Sequence, residues 1–147
     1  MPIIEWKKQY LIGEQQIDLH HQYLFSLLNK TYDDFVNKES ADRLSSTFDD
    51  LIDYAIYHFS TEEQLMERCG FPGLAEHKKE HDLFTKKVVD IQKGYHDGER
   101  GISLELLSFL QDWLSTHILL SDVEIGRYLV SRNRRKSLGS RNIDINV

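Results

Sequence analysis

The chain is poor in residues that break helices or staple small folds. It has two prolines and one cysteine in 147 residues. A single cysteine, Cys69, excludes an internal disulfide, which fits a reducing compartment. So few prolines leave room for long helices, since proline in a helix interior costs about 3 kcal/mol. No stretch approaches the roughly 20 apolar residues that a membrane span needs. The opening Met-Pro-Ile-Ile-Glu-Trp-Lys lacks the basic segment and apolar run of a secretory signal. These absences point to a cytoplasmic protein without a membrane span.

What is present is ordinary for one globular domain. Hydrophobic residues make up 40% and charged residues 29% of the chain. Net charge is −6, unevenly spread: 131–147 holds Arg132, Arg134, Arg135, Lys136 and Arg141 against Asp144, so the body carries −10. An acidic body argues against nucleic acid as the main partner. The basic end reads as a polar tail, 131–147, that frays from the last helix. Its functional alternative is a docking segment for an acidic partner or membrane surface.

Helix breakers fall in three places. Gly70-Phe71-Pro72-Gly73 is a clear turn, Gly94 to Gly101 is another, and 37–40 is a weaker one. Between them stand four segments with helical periodicity, near 18–36, 41–68, 74–93 and 103–130. Asp18 and Ser103 are candidate N-caps. Short connections imply antiparallel neighbours, so the expected fold is all-α: an up-down-up-down four-helix bundle over 1–130. Residues 1–17, with Ile3, Ile4, Trp6, Tyr10 and Ile12, form an N-terminal arm able to pack on it.

Seven histidines stand in the chain: His20, His21, His58, His77, His81, His96 and His117. Spacing alone proves nothing, because about one or two histidines with a His, Asp or Glu four residues away are expected by chance. Position on the helices is more informative. His77 and His81 take consecutive places in the apolar seam Leu74, Phe84, Val88, Ile91 of the third helix. His58 and Glu62 fall on the seam Leu44, Phe48, Leu51, Ala55, Leu65 of the second. His21 starts the seam of the first, and His117 lies on that of the fourth. A carboxylate turned inward among histidines costs several kcal/mol unless it is paired. Metal ions are the natural partner, and helix bundles build such sites from facing helices. Asp122 does not follow from this geometry: five residues past His117 means about 140° of rotation on an ideal helix. His96, among Lys93, Gly94, Asp97 and Gly98, reads as a loop residue, and Cys69 as a small packed apolar one.

In these residues the sequence resembles the hemerythrin family, and within it the single-domain bacteriohemerythrins. The likeness spans roughly 3–130. Trp6 and Gly13 sit in an arm like the family's, followed by Ile17-Asp18-Leu19-His20-His21 and by His58-x-x-x-Glu62. Met66, the Phe71-Pro72 turn and His77-x-x-x-His81 come next, and Trp113-Leu114-x-x-His117-Ile118-x-x-x-Asp122 closes the series. The resemblance implies two iron ions, cycling between Fe2+ and Fe3+ and joined by a bridging oxo or hydroxo group. His77, His81 and His117 would hold one iron, His21 and His58 the other, and Glu62 and Asp122 would bridge them. It selects His21 over His20, which stands where glutamine is usual and is expected at the surface or behind the ligands. One coordination position stays open, on the iron of His21 and His58, for dioxygen. Trp113, Ser115 and Ile118 would line the dioxygen pocket. Ser115 replaces a common aliphatic residue, so its hydroxyl is expected to speed oxidation to the di-iron(III) form.

The implied function is reversible dioxygen binding for carriage, storage or delivery to an oxygen-consuming enzyme, not catalysis. A dioxygen or redox sensor is the alternative, and a di-iron peroxidase-like activity a third reading. Ferritin-like oxidases use more carboxylates and Glu-x-x-His motifs, whereas histidine dominates here. Oligomeric state is not legible in the sequence.

Overall fold

The computed structural model describes residues 2–98 and 101–145, and side chains as far as Arg135. It is an antiparallel four-helix bundle with an N-terminal arm. Helix α1 spans Gln15–Val36, α2 Ala41–Cys69 and α3 Leu74–His96. The fourth rod is composite: α4, Leu104–His117, runs through a π-helical turn, Ile118–Asp122, into α5, Val123–Ile145. α1 packs on α2 and α4, and α2 packs on α3.

Local chemistry sets the ends. Ser40 caps α2 by accepting from Arg43 N at 3.2 Å, and Ser103 caps α4 by accepting from Leu106 N at 3.2 Å. Asp18 is not the cap of α1, contrary to the reading of its sequence. Glu14 takes that role, accepting from Ile17 N at 2.8 Å. Asp18 lies inside the first turn, and its carboxylate reaches back to the arm, accepting from Ile12 N at 2.8 Å and Gly13 N at 3.1 Å. α2 stops at Gly70, whose φ of 69° lets Phe71 N return to Met66 O at 2.9 Å. α3 continues past Gly94 to His96. That histidine is therefore helical, and pairs with Asp49 at 3.1 Å. The last rod runs past position 130, where an end was expected: its arginines favour helix and no proline intervenes.

The arm is held by specific bonds. Asn29 accepts from Ile4 N at 3.1 Å and donates to Ile4 O at 2.9 Å, and Gln111 donates to Ile3 O at 2.6 Å. Trp6 and Tyr10 close edge-on over Phe25, with centroids 5.1 and 5.0 Å away. Gly126 is required where the arm crosses α5, because a Cβ there would lie 2.0 Å from Ile12 O.

The interior divides along its length. One half is apolar, built from Leu24, Leu28, Phe48, Leu51, Ile52, Phe84, Leu107 and Leu110. The other, nearer the α2–α3 turn, contains buried polar groups from all four rods. In the lower turns of α1, Thr31 and Asp34 are buried more deeply than Tyr32 and Phe35 of the expected seam. Both are satisfied: Thr31 donates to Leu27 O at 2.8 Å, and Asp34 accepts from Thr47 at 3.1 Å. Cys69 is buried, as its place on the seam implies. No helix among the described residues is long and apolar enough to cross a membrane.

Candidate metal centre

Each rod delivers histidine or carboxylate to one level of the polar half. α1 brings His21, α2 brings His58 and Glu62, α3 brings His77 and His81, and α4 with its π turn brings His117 and Asp122. All seven are at most 5% exposed. The i, i+4 pairs His58/Glu62 and His77/His81 share a helix face, as their spacing requires.

Glu62 is central. Its Oε1 lies 2.6 Å from His77 Nε2 and 3.1 Å from His81 Nε2, while Oε2 lies 3.1 Å from His58 Nε2. Asp122 reaches the same atoms from the opposite rod: Oδ1 is 2.9 Å from His77 Nε2 and 3.0 Å from His117 Nε2, and Oδ2 is 3.0 Å from His21 Nε2. The π turn makes this reach possible. It widens the ring so that Val123 N bonds Ile118 O five positions back, and Asp122 returns to the face of His117.

Two overlapping donor sets result. His77, His81, His117, Glu62 and Asp122 form one, and His21, His58, Glu62 and Asp122 the other; within each, one atom per residue lies within 4.8 Å of all the rest. Each set could hold a metal ion, with both carboxylates shared. The donor atoms face one another: Glu62 Oε2 and both Asp122 oxygens are buried without a well-formed hydrogen bond, despite imidazole nitrogens about 3 Å away. Lone pairs converging on an enclosed space need a cation there, a proton or a metal.

Without metal, protons fill the role. Burial pushes His21, His77 and His117 down, but the Asp122 and Glu62 carboxylates outweigh it, raising His21 and His77 to about 9 and His117 to about 10. Burial opposes ionisation of the carboxylates, yet the facing histidines hold both Glu62 and Asp122 well below the usual carboxylate range. His58 is lowered: burial wins over Glu62.

The residue model for the hemerythrin HHE cation-binding domain matches 13–129. The chain belongs to the hemerythrin family. It is 36% identical to the bacteriohemerythrin of Clostridium acetobutylicum over 81% of this chain and 95% of that one. It is 35% identical to the bacteriohemerythrin of Methylococcus capsulatus over 69% of this chain and 76% of that one. The crystal structure of a wild-type hemerythrin superposes with a TM-score of 0.82 at 30% identity, covering 86% of this chain and 98% of its own. A leucine-to-alanine variant of hemerythrin gives 0.84 at 30% identity, covering 88% and 98%.

Within this hemerythrin-family fold, the three side chains expected beside dioxygen sit differently from one another. Trp113 stacks on His117, with centroids 4.5 Å apart and planes 10° apart, and on Phe84 at 4.0 Å. Ile118 is fully buried beside His117. Ser115 turns away: its hydroxyl donates to Gln111 O, one turn back on its own helix, at 2.9 Å. Two residues before His117 is about 200° around the helix, whereas Leu114, three before it, shares the histidine's face. That distinction was available from spacing.

Sequence reasoning missed the groups behind the histidines. Glu63 Oε2 lies 2.9 Å from His81 Nδ1, and Glu80 Oε2 lies 2.8 Å from His117 Nδ1. Each pair joins different helices, so no spacing rule reveals it. Phe59 lies flat on His81, with centroids 4.0 Å apart. His20, expected at the surface or behind the ligands, is buried behind His58, with Nδ1 3.1 Å from Nδ1 of His58.

Proposed function

We propose that the chain binds dioxygen reversibly at a non-haem di-iron centre, serving carriage, storage or delivery to an oxygen-consuming enzyme. One observation carries the reading: two donor sets, of five and four residues, share Glu62 and Asp122 in a closed space where Glu62 Oε2 and both Asp122 oxygens lack hydrogen bonds. The donors fit iron, since imidazole with a few carboxylates suits it and sulfur is absent from both sets. His77, His81 and His117 would hold one ion, His21 and His58 the other, with both carboxylates between them. When bound, the two irons supply two electrons and an open position for dioxygen.

The chain's own groups do the rest. Glu63 and Glu80 orient the imidazoles of His81 and His117. Phe59 and Trp113 keep water from the centre by stacking on His81 and His117, beside the fully buried Ile118. The apolar half beyond them encloses a small void bounded by Leu24, Leu28, Ile52, Phe59, Leu110 and Leu114, suited to an apolar diatomic. Among the described residues, each titratable group at the centre belongs to a donor set or stands behind one. None is left over as an acid or base for turnover, which favours binding over catalysis.

The test is visible absorption of reduced, iron-loaded protein under anaerobic conditions, with iron counted per chain, before dioxygen, after it and after its removal. Two irons and a charge-transfer band that comes and goes with dioxygen are expected. A band that never forms would overturn the reading in favour of a redox role.

A further inference from the structure

Behind the seven converging groups, the two donor sets differ. In the five-donor set, two outer ring nitrogens meet carboxylates: His81 Nδ1 with Glu63 at 2.9 Å and His117 Nδ1 with Glu80 at 2.8 Å. Glu80 is itself fixed, accepting from Ser121 Oγ at 2.7 Å. In the four-donor set, among the described residues, no anion stands behind either histidine. His21 Nδ1 is buried with no partner, and His58 Nδ1 meets only another imidazole, His20.

We propose that the two metal positions fill in order, the five-donor position first, and that His20 sets the affinity of the second. The inference rests on the two-metal reading of the site. A carboxylate behind an imidazole makes the ligand more basic and fixes its ring orientation, and losing such a partner typically costs 10–100-fold in metal affinity. The five-donor position has one more donor and two such carboxylates.

The four-donor position depends on a weaker device. His58 directs Nε2 at the cluster, 3.1 Å from Glu62 Oε2, so a metal on Nε2 leaves the ring proton on Nδ1. That proton is donated to His20 Nδ1, which holds the ring of His58 in place. Tyr54 and Tyr57 hold His20 in turn, with centroids 5.6 and 5.5 Å from its ring. A neutral imidazole accepts this proton without adding negative charge. His20 is thus a positioning residue, acting on the metal through His58.

The experiment titrates metal-free protein with cobalt(II) alone, followed by calorimetry and visible d–d absorption. Two resolved steps, at least about tenfold apart, are expected. Removing both carboxylates (Glu63→Ala with Glu80→Ala) should weaken the first step by about 10–100-fold and spare the second. His20→Leu should weaken the second step and spare the first. His20→Gln should restore it, because the amide oxygen accepts the same proton; circular dichroism of each metal-free variant establishes that it folds. Two ions bound in one unresolved step would overturn the order while leaving the two-metal reading intact. So would an alanine pair that weakens both steps equally, and an unchanged second step in His20→Leu would remove the role of His20. Fewer than two ions bound would overturn the proposed function as well.

Discussion

His117 Nε2 lies 3.0 Å from Asp122 Oδ1, although five residues of a regular α-helix would set them about 140° apart. The π turn holds one residue more than an α-helix needs over that stretch. Deleting Leu120, which is 69% exposed, should therefore let the rod close as continuous α-helix. His117 and the aspartate would then stand four apart, still on one face, with α5 in phase. Deleting Ser108 from the regular part of α4 should instead rotate the preceding turn by about 100° and pull Leu106 and Leu107 out of the core. Thermal unfolding and metal content of the two deletions should differ sharply. Equal damage would show that the π turn does not absorb the extra residue.

The bundle was legible because its rules are local. Seam positions such as Leu24, Phe48, Val88 and Leu107 are buried as the periodicity requires. His58, Glu62, His77 and His81 sit on those seams in α-helical register, so their convergence could be anticipated from spacing. Asp122 could not be placed that way, because the π turn that delivers it has no signature in Ile118-Leu119-Leu120-Ser121. The resemblance alone pointed to it. Glu63, Glu80 and His20 act across helices, and a one-dimensional pattern does not encode which exposed face of α2 meets which face of α3. Ser115 came from the resemblance as well, and spacing sets it about 200° from His117 on the helix, where its hydroxyl donates to Gln111 O.

Glu62 lies within 3.8 Å of His21, His77 and His117, so its charge, second to that of Asp122, should raise their protonation in metal-free protein. Its Oε1 is 2.6 Å from His77 Nε2, a histidine raised to about 9. In Glu62→Gln that value should fall toward the ordinary histidine value of about 6.5. Ring-proton NMR across a pH titration would follow it. A His77 that still titrates near 9 would assign the shift to Asp122 alone. The same variant should bind fewer metal ions, since both donor sets lose a shared oxygen anion.

Stability of the metal-free protein should depend on pH with a definite sign. His21 and His77 are raised to about 9 and His117 to about 10 in the folded state. Their contribution is complete below the unfolded value of about 6.5 and is lost as pH rises through 9 to 10. Glu62 and Asp122 are lowered, so theirs is present above the ordinary carboxylate range and lost in acid. His58, also lowered, opposes folding below its unfolded value. Urea midpoints of metal-free protein should therefore fall between pH 7 and 10, and metal should flatten the profile by displacing the protons. A profile already flat without metal would contradict the protonated cluster.

Phe59 connects the apolar half to the centre. It is 4% exposed, lies flat on His81, and meets Phe84 and Trp113 edge-on at 5.7 Å. Phe59→Ala should destabilise the fold by about 3–5 kcal/mol, the usual cost of emptying a buried aromatic site. It should also speed metal loss, because His81 loses the surface that fixes its plane. Phe59→Leu should recover most of the stability and less of the metal retention. If both variants kept metal equally well, the stack would be packing alone.

Ser115 tests the geometry of the dioxygen pocket directly. Its hydroxyl is committed to Gln111 O at 2.9 Å and points away from the face that His117 presents to the centre. Ser115→Ala should therefore leave the oxidation rate of the iron-loaded protein unchanged. Leu114 is buried on the His117 face and bounds the apolar void. Leu114→Ser puts a hydroxyl where one could admit water, and should shorten the life of the dioxygen-dependent absorption band. Following that band in air for both variants separates the two positions. Slower decay in Ser115→Ala with no change in Leu114→Ser would mean that the open position faces Ser115, and that α4 presents a different face to dioxygen than its packing indicates.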